Sequence, residues 1–347
     1  MRWSYNLERS YTTAVWLFGI AALVLLMVVV GGATRLTGSG LSITEWRPVT
    51  GVLPPLSDAG WQAEFAKYQH IPQYQLVNRG MPLGEFKALY WWEWGHRLLG
   101  RIIGLAFAVP FVALLALRRI PKRLIWRCLA IFALGALQGL VGWWMVASGL
   151  DKRIFVAPER LAVHLGLALL VLIACDWTGL EAWFGRTRPG GYPAALMWWR
   201  GGTGLVVLVF VQAMLGALVA GNQAGRVYTD WPLMSGRLFP ADYAPKGEGL
   251  WTVLAHSQAA VQFNHRMVAY LLFASVLAYF VGLAKAHAPD GAKRLAFWLA
   301  GAVMLQAMVG VVTLRMATPL PLGLLHQFGA AAVLSLAVAL AWRVRRA

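Results

Sequence analysis

Residues 257–284 read Ser-Gln-Ala-Ala-Val-Gln-Phe-Asn-His-Arg-Met-Val-Ala-Tyr-Leu-Leu-Phe-Ala-Ser-Val-Leu-Ala-Tyr-Phe-Val-Gly-Leu-Ala, an apolar run interrupted by His265 and Arg266. A helix needs about 20 predominantly apolar residues to cross the hydrocarbon core. Seven further runs meet that length: 13–32, 90–117, 124–148, 161–180, 202–221, 295–314 and 323–342. Hydrophobic residues make up 59% of the 347-residue chain and charged residues 13%. Soluble domains carry about a quarter charged residues, so a water-soluble globule is excluded. Disorder is excluded as well, because it requires low hydrophobicity and high charge. Cys128 and Cys175 both lie in apolar runs, which leaves no disulfide framework. The expected fold is an all-α polytopic membrane protein of eight transmembrane helices.

The net charge of +17 sorts by loop. Segments 1–13, 118–127, 181–200, 285–294 and 343–347 hold 16 Lys/Arg against 3 Asp/Glu. The alternate segments 33–89, 149–160, 222–255 and 315–321 hold 12 against 9. The positive-inside rule assigns the first set, and both termini, to the cytoplasm. Basic excess is therefore a topology signal, and no nucleic-acid partner is expected. The first run, preceded by Arg2 and Arg9, lacks a small-residue cleavage site and reads as a retained helix. The long outer loops 33–89 and 222–255 are rich in Gly, Pro and Trp and are expected to be ordered caps. Tyr90, Trp91, Trp92 and Trp94 read as an interfacial aromatic belt. Gly100-x-x-x-Gly104 and Gly135-x-x-x-Gly139 read as sites of close helix approach.

Residues 1–180 and 202–342 look like two copies of one four-helix unit. Gly40-Leu41-Ser42-Ile43-Thr44-Glu45-Trp46 is matched by Gly225-Arg226-Val227-Tyr228-Thr229-Asp230-Trp231. Gly95-His96-Arg97 is matched by Asn264-His265-Arg266. Leu137-Gln138-Gly139-Leu140-Val141-Gly142 is matched by Leu305-Gln306-Ala307-Met308-Val309-Gly310, and Val163-His164-Leu165 by Leu325-His326-Gln327. Four spans per copy preserve orientation, so the repeat is parallel, about an axis along the membrane normal. Two tandem four-helix bundles are expected, over residues 1–180 and 181–347.

Each half carries one histidine on its second helix and one on its fourth. His96, His164, His265 and His326 stand four to nine residues inside their apolar runs. At 1.5 Å per residue that is roughly 6–13 Å from the outer boundary, one shared level. Ionisable groups in a bilayer are costly and mark sites. Paired imidazoles on facing helices suit the two axial positions of a haem iron. Zinc prefers tetrahedral Cys/His/carboxylate sets, which neither half supplies. Arg97 and Arg101 share a helix face and Arg266 repeats Arg97; guanidinium is the natural partner of haem propionates. Glu93, three residues before His96, has Gln262 as its counterpart, so one half holds an acid beside its iron site and the other does not. That asymmetry points to a proton-transfer role for Glu93.

With these features in place, the chain resembles the heme A synthase family, membrane enzymes of cytochrome oxidase haem biogenesis. The resemblance rests on Gly31-Gly32-Ala33-Thr34-Arg35-Leu36-Thr37-Gly38-Ser39-Gly40-Leu41-Ser42, Glu93-Trp94-Gly95-His96-Arg97, Asn264-His265-Arg266 and His326-Gln327. It implies oxidation of a ring methyl of heme O to a formyl by two successive hydroxylations, in a bacterial inner membrane. It implies a heme b cofactor on His265 and His326, with Arg266 beside it. Substrate haem falls to His96 and His164, with Arg97 and Arg101, and Glu93 serves catalysis. An unidentified electron acceptor and association with heme O synthase, the protoheme farnesyltransferase, are implied as well. Some relatives carry a cysteine pair in the first outer loop; this chain has none there. The competing readings are a bis-haem b-type electron carrier without catalysis, and a haem exporter.

Overall fold

Backbone N–H and C=O groups find no water in hydrocarbon, so a spanning chain must satisfy them internally, as helices do. In a computed structural model, which describes residues 9–185 and 195–346, the chain is helical throughout its apolar runs. The part of the basic segment 181–200 that covers 186–194 lies outside the described residues. The helices are α1 (Tyr11–Leu36), α2 (Asp58–Gln69), α3 (Pro72–Leu76), α4 (Leu83–Ala116), α5 (Lys122–Ala147), α6 (Pro158–Phe184), α7 (Ala195–Gly221), α8 (Leu250–His256), α9 (Gln258–Lys285), α10 (Asp290–Arg315) and α11 (Leu320–Arg346). Eight of them (α1, α4–α7 and α9–α11) are long and apolar enough to cross a membrane. The protein is a multi-pass membrane protein.

Local signals set the ends. Ser10 caps α1, its hydroxyl accepting from the Thr13 amide, and Ser257 caps α9 through the Ala260 amide. Pro158 opens α6, where its missing N–H costs nothing, and Gly185 closes it with φ +88°. Helix α4 begins seven residues before its apolar run. Those two extra turns, about 10 Å at 1.5 Å per residue, project into the first long loop and pack against α2.

In the first half α1 touches α4 and α6, and α5 touches α4 and α6; in the second half α7 touches α9 and α11, and α10 touches α9 and α11. Contacts of α1 with α11, α6 with α7 and α6 with α11 join the two rings. One apolar core runs through all eight helices, with Leu17, Leu124, Leu172, Leu283, Leu299 and Leu334 fully buried. A Cβ on Gly221 would stand 2.8 Å from the Cα of Pro158, between the halves. Gly221→Ala is therefore expected to destabilise the detergent-solubilised protein by about 1–3 kcal/mol. An unchanged midpoint of thermal unfolding would contradict this tight seam.

The first long loop is ordered, as its composition suggests. Trp61, Phe65, Tyr68, Phe86 and Tyr90 form a core of their own. Tyr90 is thus 6% exposed inside this loop core, whereas Trp91 and Trp92 are exposed like belt residues. Lys67, at the loop surface, bridges Glu45 and Glu64. Its burial lowers its pKa, but hydrogen bonds with the two carboxylates outweigh that and raise it. The glycine expectation needs correction. Nothing lies within 4 Å of a Cβ placed on Gly104, Gly135 or Gly139, and Gly100 meets only the end of Met27. These glycines line a cavity instead of a helix contact. What their missing side chains leave between α4 and α5 is room.

Candidate haem-binding site

A single continuous cavity of about 1760 Å³ runs through the bundle and receives all four predicted histidines. Ordinary small-molecule pockets hold roughly 300–1,000 Å³, so this one has space for two large ligands. His96 comes from α4, His164 from α6, His265 from α9 and His326 from α11.

Each imidazole faces a glycine on a neighbouring helix. A Cβ on Gly31 of α1 would lie 3.2 Å from His96 Nε2, and one on Gly142 of α5 would lie 2.9 Å from His164 Cε1. In the second half Gly216 of α7 stands against His265 (3.1 Å) and Gly310 of α10 against His326 (2.7 Å). A Cβ at Gly142 or Gly310 would push its ring aside, and at Gly31 or Gly216 the ring would have to give by a few tenths of an ångström. Gly310→Ala is accordingly expected to cut haem retention at that site about tenfold, the scale of overpacking by one methyl. Haem titration of the purified variant checks it.

Glutamines complete the pattern. Gln138 Nε2 donates to the His164 carbonyl (2.9 Å) and sits 3.4 Å from its ring Nε2. Gln212 does the same to His265 (3.0 Å to the carbonyl, 3.1 Å to Nδ1), and Gln306 to His326 (2.7 and 3.0 Å). Each glutamine precedes the ring-facing glycine by four residues, one helical turn. The rings of His265 and His326 lie 6.5 Å apart, centroid to centroid, with planes crossed at 83°. Two iron–imidazole bonds of about 2 Å and two ring radii of about 1 Å would put such centroids roughly 6 Å apart. The pair fits a single iron. Among the described residues no cluster of three His, Cys, Asp or Glu could hold a bare metal ion.

Glu93 is buried at 2% exposure and fully engaged. Its Oε2 accepts from the Ser42 hydroxyl and the Ile43 amide, both at 2.8 Å. Its Oε1 accepts from Arg97 Nε (3.2 Å) and Nη2 (2.6 Å). Arg97 spends further donors on the carbonyls of Ile43 (2.7 Å) and Glu45 (2.9 Å). The acid and the arginine therefore latch the first long loop to α4. At the matching positions Gln262 donates to the Tyr228 carbonyl (2.8 Å), and Arg266 to the carbonyls of Tyr228 (3.3 Å) and Leu233 (2.9 Å). The hold on the loop is repeated, but without the bond between the two side chains: Gln262 Oε1 and Arg266 Nε are both buried without a partner.

The three arginines expected beside propionates are not equivalent. Arg97 is largely consumed by Glu93 and the loop. Arg101 donates to the carbonyls of Pro48 and Arg47, both at 2.8 Å, while its Nη1 is buried without a partner. Arg266 Nε is likewise buried and unpartnered. A buried unpaired guanidinium nitrogen is costly, and both arginines line the cavity. Arg35 adds to the site residues expected from the sequence. It lines the same cavity, donates from Nη2 to the carbonyls of Ala220 and Gly221 across the halves, and leaves Nε unpartnered. The glutamines and ring-facing glycines also went unassigned, although the Gln-x-x-x-Gly spacing stands in the sequence.

A polytopic helical bundle with paired imidazoles around a porphyrin-sized cavity defines a haem-handling membrane protein. Comparison with known proteins narrows the class. The profile of the cytochrome oxidase assembly protein family matches residues 14–338. The chain is 56% identical to the heme A synthase of Caulobacter sp. (strain K31), over 98% of each chain. It is 48% identical to that of Parvibaculum lavamentivorans, over 97% of this chain and 94% of the relative. With that of Paracoccus denitrificans it shares 48% identity over 93% and 85% of the two chains. The chain belongs to this family, and it is an enzyme of heme A biosynthesis.

Proposed function

We propose that the chain oxidises a ring methyl of heme O to the formyl of heme A, as an oxidoreductase acting on a CH3 group. The observation that carries this reading is a histidine pair in each half, all four rings in one cavity and each facing a glycine, with an acid in one half only. His265 and His326 would hold a heme b cofactor, with Arg266 offering its unpartnered Nε to a propionate. His96 and His164 would receive heme O, with Arg101 Nη1 for its carboxylate. The first unit, residues 1–180, is then the substrate half and residues 181–347 the cofactor half. When bound, heme b supplies a redox-active iron.

Formally, written against water, R–CH3 + H2O gives R–CHO with release of four protons and four electrons. The electrons pass to an acceptor yet to be identified. The protons need a route out of an apolar cavity. Glu93 lines that cavity and is bonded to Ser42 and Arg97. A proton reaches its carboxylate only when one of those bonds opens, which couples proton transfer to the loop latch. The glycine-lined faces of α4 and α5 leave the ring its space, and the ordered long loop limits water. Loop charge supports an external position for the long-loop face, in a bacterial inner membrane with both termini cytoplasmic. Membrane lipid and the heme O-making farnesyltransferase are the expected neighbours.

The test is direct. Purified protein is incubated with heme O and an electron acceptor, and its haems are extracted and chromatographed. Appearance of heme A supports the reading. Unchanged heme O on a protein that retains low-spin haem would favour an electron carrier instead.

A further inference from the structure

The seam between α4 and α5 is empty where its counterpart in the second half is filled. On α4, Gly100 and Gly104 follow His96 by one turn and two; on α5, Gly139 and Gly135 precede the ring-facing Gly142 by one turn and two. All four are exposed and line the cavity that receives His96 and His164. A Cβ on Gly104, Gly135 or Gly139 would meet nothing within 4 Å, and one on Gly100 only the end of Met27, 3.6 Å away. With the two copies matched at His96 and His265, and at Gln138 and Gln306, the same places on α9 and α10 hold Ala269, Phe273, Val303 and Ala307. These line the cavity as well, and Val303 is packed into the apolar core. Helices α4 and α5 accordingly pack more loosely than α9 and α10. Aromatic pairs close the seam at its ends. Trp46 meets Trp143 edge to face under the long loop (5.4 Å between centroids), and Phe107 stacks on Phe132 at the far end (5.6 Å). From Phe132 to Trp143 the seam runs roughly 16 Å, at 1.5 Å per residue.

From this we infer that the α4–α5 seam is the slot for the farnesyl chain of heme O. Its four glycines let the first half accept that substrate, while the side chains of the second half admit only a haem without a tail. The inference rests on the haem assignments above. Heme O carries a hydroxyethylfarnesyl group at its porphyrin edge, which heme b lacks. Lipid is as apolar as the tail, so burial supplies little driving force. The slot selects by leaving room, and the second half selects by taking it. Axial ligation also leaves a need that the slot meets. Two imidazoles hold an iron but let the ring turn about their common axis, and a porphyrin carries more than one ring methyl. A tail laid along a fixed seam stops that rotation and determines which methyl stands nearest Glu93. The four glycines are thus specificity-determining residues that act by absence of a side chain.

Equilibrium binding reads the difference without turnover. Protein whose second half already holds heme b is titrated with heme O, and separately with further heme b, by the low-spin absorbance gained. The variant carrying both His96→Ala and His164→Ala gives the background. Gly104→Phe and Gly135→Val copy the second half into the seam. Each is expected to weaken heme O binding about ten- to hundredfold, the scale of overpacking, with the affinity of the first half for heme b kept. Gly301→Val, at an equally open glycine of α10 outside the cavity, is expected to leave both affinities native. Unchanged heme O binding in Gly104→Phe and Gly135→Val, or an equal loss for heme O and heme b, overturns the inference. If neither variant accumulates, Phe273→Ala tests the converse in haem-free protein lacking His96 and His164. Heme O is expected to enter the second half of that variant and not of its Phe273 parent, and equal uptake by the two refutes the idea. A native chain that gains no more low-spin haem than the double histidine variant would instead overturn the site assignment itself.

Discussion

Replacing His265 or His326 with alanine is expected to strip the purified protein of its low-spin haem spectrum and to abolish heme A formation. Loss of a residue that only orients a ligand already costs about 10–100-fold in metal affinity, so loss of the ligand itself should exceed the upper end of that range. The two rings stand 6.5 Å apart in one cavity, each backed by a glycine whose Cβ would lie 3.1 Å (Gly216) or 2.7 Å (Gly310) from the ring. Neither has a substitute nearby, since His256 faces Glu159 on α6, 3.6 Å away, and not the cavity. Methionine in place of either histidine should yield a shifted spectrum of weaker ligation. Optical and electron paramagnetic resonance spectra of the variants decide the matter, and a native low-spin signal from His265→Ala or His326→Ala would refute the ligand assignment.

Glu93→Gln is expected to retain haem and fold yet lower heme A formation by about 10²–10⁴-fold, the usual contribution of a placed proton-transfer group. The second half explains why the fold should survive. There Gln262 stands at the matching position and, with Arg266, still binds the loop at Tyr228. A glutamine at 93 can accept from Ser42 or Ile43 and leave Arg97 bound to the carbonyls of Ile43 and Glu45. Glu93→Ala is a harsher change: it leaves the half-buried Arg97 charge without its counter-ion and should free the loop, an effect of several kcal/mol. Chromatography of haems after incubation with heme O separates the two variants. Full turnover by Glu93→Gln would remove proton transfer from its role and leave the latch alone.

Much of the fold was legible because hydropathy is a property of the chain alone. Eight apolar runs became eight spanning helices, and the four histidines stood out as ionisable groups in apolar surroundings. The Glu93–Arg97 ion pair has a signal in the sequence, since the two residues are four apart, the spacing of a helical pair, but Arg97 is equally one turn from Arg101, and Glu93 one turn from His96. The glutamines stood in the repeat as well. Their meaning was hidden because Gln212 acts on a histidine 53 residues away on another helix, and no spacing along one helix says which neighbour it faces. Gly104, Gly135 and Gly139 show the reverse error. Small residues at i, i+4 mark either a helix contact or a vacant face, and sequence does not distinguish them.

Composition committed the chain to lipid, and continuous apolar runs of about 20 residues, where barrel strands would alternate, committed it to helices. It also fixed which residues had to carry the chemistry, since so few polar groups enter the apolar runs. Which imidazole meets which glycine, and which guanidinium is spent on a loop and which keeps a free nitrogen, were decided only by how the helices assemble. Those relations join side chains from different helices, and their ångström-scale distances come from packing.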